Sequence, residues 1–141
     1  EGGWNGVDAP MEYGGMGLTM EEEVLVAMEL AKASPCYRSL IGTNNGIGSQ
    51  GLVLDGTEEQ KRKYLQRLAT GELIASFALT EPNAGSDAAS LQTTAVRDGE
   101  DYILNGTKRY ITNAPRAGIF TETDIFGSHC DNSGKLVDFV G

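Results

Sequence analysis

The residues with the most chemistry per position lie in one run, Phe77-Ala78-Leu79-Thr80-Glu81-Pro82-Asn83-Ala84-Gly85-Ser86-Asp87. Here a short apolar segment gives way to hydroxyls, small side chains and two carboxylates. Small side chains let a ligand approach the main chain closely, and consecutive backbone N–H groups in a turn form a nest for phosphate or other anionic oxygens. A polar turn that merely joins two strands has the same composition, so on local chemistry alone both readings stand. Glu81 invites the role of a base. Nothing in the sequence supplies a partner that would raise its pKa, however, and a turn carboxylate ordinarily accepts from nearby backbone N–H groups. Tyr110 and Thr112 offer a ring and a hydroxyl two residues apart, which in isolation read as ordinary strand side chains. His129 and Cys130 are adjacent, and neighbours on a strand point to opposite faces, which makes a poor dyad or metal pair.

Two kinds of element must position these residues. Residues 1 to 18 contain Pro10 and a cluster of Gly14, Gly15 and Gly17, which predicts an irregular loop with tight turns. Thr19-Met20-Glu21-Glu22 has the pattern that satisfies orphan N–H groups at a helix start. Val24, Ala27, Met28 and Ala31 follow at the spacing of one helical face, and Ser34-Pro35 ends the helix. A second helix is expected from about Cys36 to Leu54, where Gly42, Gly46, Gly48 and Gly51 each cost about 1 kcal/mol relative to Ala. Either a neighbour comes unusually close to this backbone or the helix is broken. Thr57-Glu58-Glu59-Gln60 opens another helix, with Tyr64, Leu65 and Leu68 facing inward and Thr70-Gly71 closing it.

After Glu72 the pattern becomes strand-like. Leu73 to Leu79 is short and apolar, Leu91 to Arg97 and Tyr102 to Leu104 flank the hairpin signal Asp98-Gly99, and Asn105-Gly106 marks a turn before a strand over Lys108 to Thr112. The expected fold class is α+β. Residues 1–72 form part of a helical domain, residues 73–121 part of an antiparallel β domain, and residues 122–141 show no periodicity that assigns them.

Composition sets the outer limits. A chain of 141 residues suffices for one domain with a real core, and a 40% hydrophobic share with 22% charged residues is that of an ordinary globular protein. A net charge of −9 and no basic cluster beyond Lys61-Arg62-Lys63 argue against a nucleic-acid partner. Cys36 and Cys130 lie in no metal-binding spacing, which favours a reducing compartment. No apolar stretch approaches the roughly 20 residues of a membrane span, and Glu1-Gly2-Gly3-Trp4 lacks the features of a signal peptide. The opening on Glu and the close on Val140-Gly141 read as a chain cut at one or both ends.

The run LTEPNAGSDAAS from Leu79 to Ser90 resembles the signature of the acyl-CoA dehydrogenase family, in which Leu-Thr-Glu-Pro is followed three residues later by Gly-Ser-Asp. PMEYGGMGL at Pro10 to Leu18 resembles that family's loop ahead of its helices, and GTEEQKRKYLQRLATGE at Gly56 to Glu72 its linker helix. LNGTKRYITNA at Leu104 to Ala114 resembles its second flavin-contact strand. These motifs stand in family order and cover nearly everything from Pro10 to Thr121, whereas Glu122 to Gly141 does not resemble the family's continuation.

The resemblance implies FAD as cofactor. Phe77, Leu79, Thr80, Gly85 and Ser86 would form the first flavin contact, with the Thr80 hydroxyl at the isoalloxazine edge and Ser86 reaching both cofactor and acyl-CoA. Tyr110, Ile111 and Thr112 would form the second, with Tyr110 where the best-known members carry Trp. The implied reaction introduces an α,β double bond, a glutamate base taking the α proton as hydride leaves for the flavin. That base belongs to a C-terminal helical domain, so no residue of this chain is assigned as catalytic. An electron-transfer flavoprotein-like acceptor, homo-oligomerisation of the intact protein, and a cytoplasmic or (in a eukaryote) mitochondrial-matrix location also follow. An acyl-CoA oxidase of the same superfamily, or an inactive truncated fragment, would carry the same motifs.

Overall fold

Two capping boxes frame the helical half. The computed structural model describes residues 3–99, 101–122 and 125–126. Helix α1 (Met20–Ala33) starts where the Thr19 N–H donates to Glu22 and the Glu22 N–H donates to the Thr19 hydroxyl. Its half-buried side carries Glu23, Val26, Ala27 and Leu30. Val24 and Met28, from the stripe read in the sequence, are 50% and 59% exposed instead. Ser34 both stops α1 and caps α2 (Pro35–Asn45), its hydroxyl accepting from the Cys36 N–H, with Pro35 in the first turn where no N–H is missed.

The second helix of the sequence reading is broken. After α2 the chain turns through residues 46–49 and resumes as α3 (Gln50–Asp55). Both explanations offered for its glycines hold at Gly48, where a Cβ would sit 2.6 Å from the Thr43 carbonyl and 2.8 Å from the Ala75 side chain. Helix α4 (Glu58–Thr70) opens on the Thr57–Gln60 capping box and closes at Gly71, which takes a left-handed φ of 76°. It buries Tyr64, Leu65 and Leu68 against Leu52, Ala75 and Ile119, the inward face read from sequence.

Asn44 ties the two halves together. This fully buried side chain donates to the carbonyls of Asn5 and Leu68 and accepts from the Ala75 N–H at 2.7 Å. Strand β1 (Ala75–Ala78) begins there. Strands β2 (Thr94–Asp98) and β3 (Asp101–Asn105) form the expected antiparallel hairpin, with Gly99 left-handed at its turn. The other two pairings run parallel, β1 with β4 (Ile119–Glu122) and β2 with β5 (Ile125–Phe126). Parallel neighbours need long crossovers and leave no turn signal.

The strand expected over Lys108 to Thr112 does not form. Tyr110 and Asn113 take left-handed φ values of 59° and 68°, and residues 114–116 make a 3-10 turn containing Pro115. A β ladder cannot pass through those conformations.

Candidate functional site

Strand β1, with Ala75, Ser76 and Ala78 buried, delivers the chain to a half-buried Thr80. A tight turn follows, closed by the Glu81 N–H donating to Ala84 (2.8 Å) and the Ala84 N–H donating to Glu81 (3.3 Å), with Pro82 and Asn83 exposed at its tip. Glu81 itself turns inward and is 6% exposed. Its carboxylate accepts from the Thr93 hydroxyl, the N–H groups of Gln92 and Thr93 (2.7 and 3.0 Å) and the Lys108 ammonium (2.9 Å). The Thr93 hydroxyl leads these donors in holding the Glu81 pKa down to about 2, against the opposing pull of burial. Glu81 is therefore ionised and engaged at neutral pH. Its bonds to the Gln92 and Thr93 N–H groups are those expected of a turn carboxylate.

The segment after β3 is stitched to this turn. The Lys108 ammonium also donates to the Leu79 carbonyl at 3.3 Å, and the Arg109 N–H donates to the Thr80 carbonyl at 2.7 Å. Two residues beyond Tyr110, the Ser76 hydroxyl donates to the Thr112 carbonyl, and the Asn113 amide donates to the carbonyls of Leu40 and Ala75. The structure thus brings Leu79 and Thr80 beside the segment of Tyr110, Ile111 and Thr112. Tyr110 is 76% exposed, and the Arg109 guanidinium lies 4.4 Å from its ring centroid.

Three features leave room for a ligand. Among the described residues no side-chain hydrogen bond engages the hydroxyls of Thr80, Ser86 or Thr112. Ser86 and Thr112 are exposed. At Gly85 a Cβ would meet nothing within 4 Å and no left-handed φ is needed, so the chain itself gives no reason for glycine there. Phe77 is half-buried on β1. Ile111 faces a different space, a cavity of about 710 Å³ between α4 and the β1–β4 pair that Ala78, Lys108 and Phe120 also line.

Sequence reasoning missed Ser76, Thr93, Lys108 and Asn113, the residues that hold the site together. Lys108 and Asn113 stand inside the quoted LNGTKRYITNA run and Thr93 begins the approach to β2, but their partners lie 12 to 73 residues away. His129 and Cys130 lie outside the described residues. No group of three His, Cys, Asp or Glu side chains among the described residues could hold a metal ion.

Residues 1–72 match the family model described as acyl-CoA dehydrogenase, N-terminal domain, and residues 76–125 match acyl-CoA dehydrogenase, middle domain. The mitochondrial isovaleryl-CoA dehydrogenase of Pongo abelii is 43% identical over 85% of this chain, which spans 29% of that protein. An acyl-CoA dehydrogenase of Bacillus anthracis complexed with FAD is 45% identical with a TM-score of 0.82, covering 88% of this chain and 22% of its own. A chain from the electron transferring flavoprotein structure of Acidaminococcus fermentans is 43% identical with a TM-score of 0.80, covering 84% of this chain and 31% of its own. The chain thus spans less than a third of these relatives.

Proposed function

Because the chain belongs to the acyl-CoA dehydrogenase family, we propose that it forms the FAD- and thioester-gripping part of an enzyme that introduces an α,β double bond into acyl-CoA thioesters. The observation that carries this reading is that backbone hydrogen bonds bring Thr80 beside the segment of Tyr110 and Thr112, with the Tyr110 ring exposed and the Thr80 and Thr112 hydroxyls unengaged. An aromatic face suits a planar heterocycle, and hydroxyls fixed at its edge suit ring nitrogens and carbonyls. These residues fit a flavin.

Phe77, Leu79, Thr80, Gly85 and Ser86 would hold one edge of the flavin, and Tyr110, Thr112 and the main chain of Ile111 the other, the Ile111 side chain lining the cavity beside α4. The flavin, when bound, supplies the electron sink for a two-electron oxidation. Ser86, which is exposed, would reach the acyl-CoA as well. Glu81 takes no part in proton removal, since its carboxylate is already occupied by four donors. The base is assigned outside the described residues.

Residues 1–72 are read as part of a helical domain and 73–121 as part of a β domain, the family-model match continuing to residue 125. The partner best suited to reoxidise such a site is an electron-transferring flavoprotein, and a homo-oligomer is the proposed state of the intact enzyme. No described helix is long and apolar enough to cross a membrane. The free thiol of Cys36 fits a reducing compartment, cytoplasm or mitochondrial matrix. The test is to mix the full-length protein carrying this chain with FAD and a series of acyl-CoA thioesters under anaerobic conditions. Bleaching of the flavin band by at least one thioester is expected, and failure with all of them overturns the reading.

A further inference from the structure

We propose that the buried Glu81–Lys108 ion pair is a positioning device that sets the conformation in which Tyr110 and Thr112 are presented. The starting point is Tyr110 itself. A φ of 59° is disfavoured for a residue with a Cβ, because the side chain crowds the following carbonyl, so the surroundings must hold it there. They do so from both ends. Ahead of Tyr110, Lys108 reaches Glu81 and the Leu79 carbonyl while the Arg109 N–H reaches Thr80. Behind it, the Thr112 carbonyl is held by Ser76 and the Asn113 amide spans to Leu40 and Ala75.

The rear anchors rest on β1 and α2, which packing already fixes. The front anchors rest on the exit from β1, and among the described residues no strand pairing reaches Thr80. Glu81 supplies the missing reference, since it is tied through Gln92 and Thr93 to the head of β2. Lys108 then transmits this reference to the segment carrying Tyr110. Stability alone does not explain the pair. Its side chains are only 10% and 5% exposed, and a buried ion pair is commonly replaceable by apolar side chains of similar volume without loss of stability. What such a replacement loses is the direction of the bonds, and here those bonds aim at the turn carrying Thr80.

The role of Tyr110 and Thr112 as flavin contacts rests on the proposed function, but the conformational claim does not. The experiment therefore uses two readouts on the full-length protein: amide hydrogen exchange across residues 109–113, and the dissociation constant for FAD. Lys108→Met and the double variant Glu81→Leu/Lys108→Met are compared with Lys32→Met, which breaks an exposed pair with Glu29. Exchange at the Arg109 amide should rise, and FAD binding weaken, by about tenfold or more in the first two. Lys32→Met should change neither. Should Lys108→Met fail to fold, the double variant decides, because it leaves no buried charge unpaired. Wild-type exchange at residues 109–113 in a folded double variant overturns the proposal. A wild-type protein that takes up no FAD overturns the proposed function instead, and the exchange readout still decides the positioning role.

Discussion

At the scale of single residues, Glu81 shows how far environment can move a side chain from its apparent purpose. A carboxylate in the middle of a cofactor-like signature invites a catalytic role. Four donors drive its pKa from an ordinary 4.5 to about 2. A lowered folded-state pKa contributes stability that is complete above the unfolded value and is lost as pH falls through the folded one. Glu81→Gln should therefore flatten the pH dependence of unfolding between roughly pH 5 and pH 2, as read by denaturant titration at each pH. An unchanged slope there would show that folding leaves the Glu81 pKa at its unfolded value. For the flavin contact, Thr112→Val keeps shape and removes a hydroxyl, and should weaken FAD retention by about 1 kcal/mol or somewhat more. Tyr110→Ala should shift the flavin absorption spectrum without unfolding the protein, because the ring is mostly exposed. The sequence showed Thr80, Tyr110 and Thr112 through their motifs. It hid Lys108 and Ser76, whose significance exists only once the two segments meet.

Among elements, glycine carries two different meanings that spacing alone does not separate. Gly48 is a packing glycine, pressed between the Thr43 carbonyl and the Ala75 side chain in the turn between α2 and α3. Gly85 is an open one. Gly48→Ala should lower the melting temperature, consistent with the typical overpacking cost of about 1–3 kcal/mol. Gly85→Ala should leave the melting temperature unchanged and weaken FAD or acyl-CoA binding in the full-length protein. Equal melting temperatures for the two variants would contradict this assignment. Capping boxes at Thr19 and Thr57, the inward face of α4 and the β2–β3 hairpin were legible because each is written within a few adjacent residues. The segment over Lys108 to Thr112 was misread as a strand for the converse reason. A tyrosine in the left-handed region carries no compositional mark, and only its distant anchors impose it.

On the scale of the whole molecule, the parallel pairings of β1 with β4 and β2 with β5 were invisible to local reading, and the exposed apolar side chains of α1 were read only as a stripe. With the base assigned outside the described residues, this chain alone should not dehydrogenate acyl-CoA, since losing general-base catalysis typically costs a factor of about 100 to 10,000. Flavin bleaching at roughly 1 per second or faster by the isolated chain would show a base within it. Asn44 has a different kind of consequence. Its one side chain joins the N-terminal loop, the end of α4 and the start of β1, so none of the three can come loose without breaking bonds to the others. Helices and strands should then melt as one cooperative unit. Asn44→Ala should split that single calorimetric transition in two, the helical half parting from the strands at its own temperature, whereas a variant that still melted in one sharp step would show that the apolar core alone couples them.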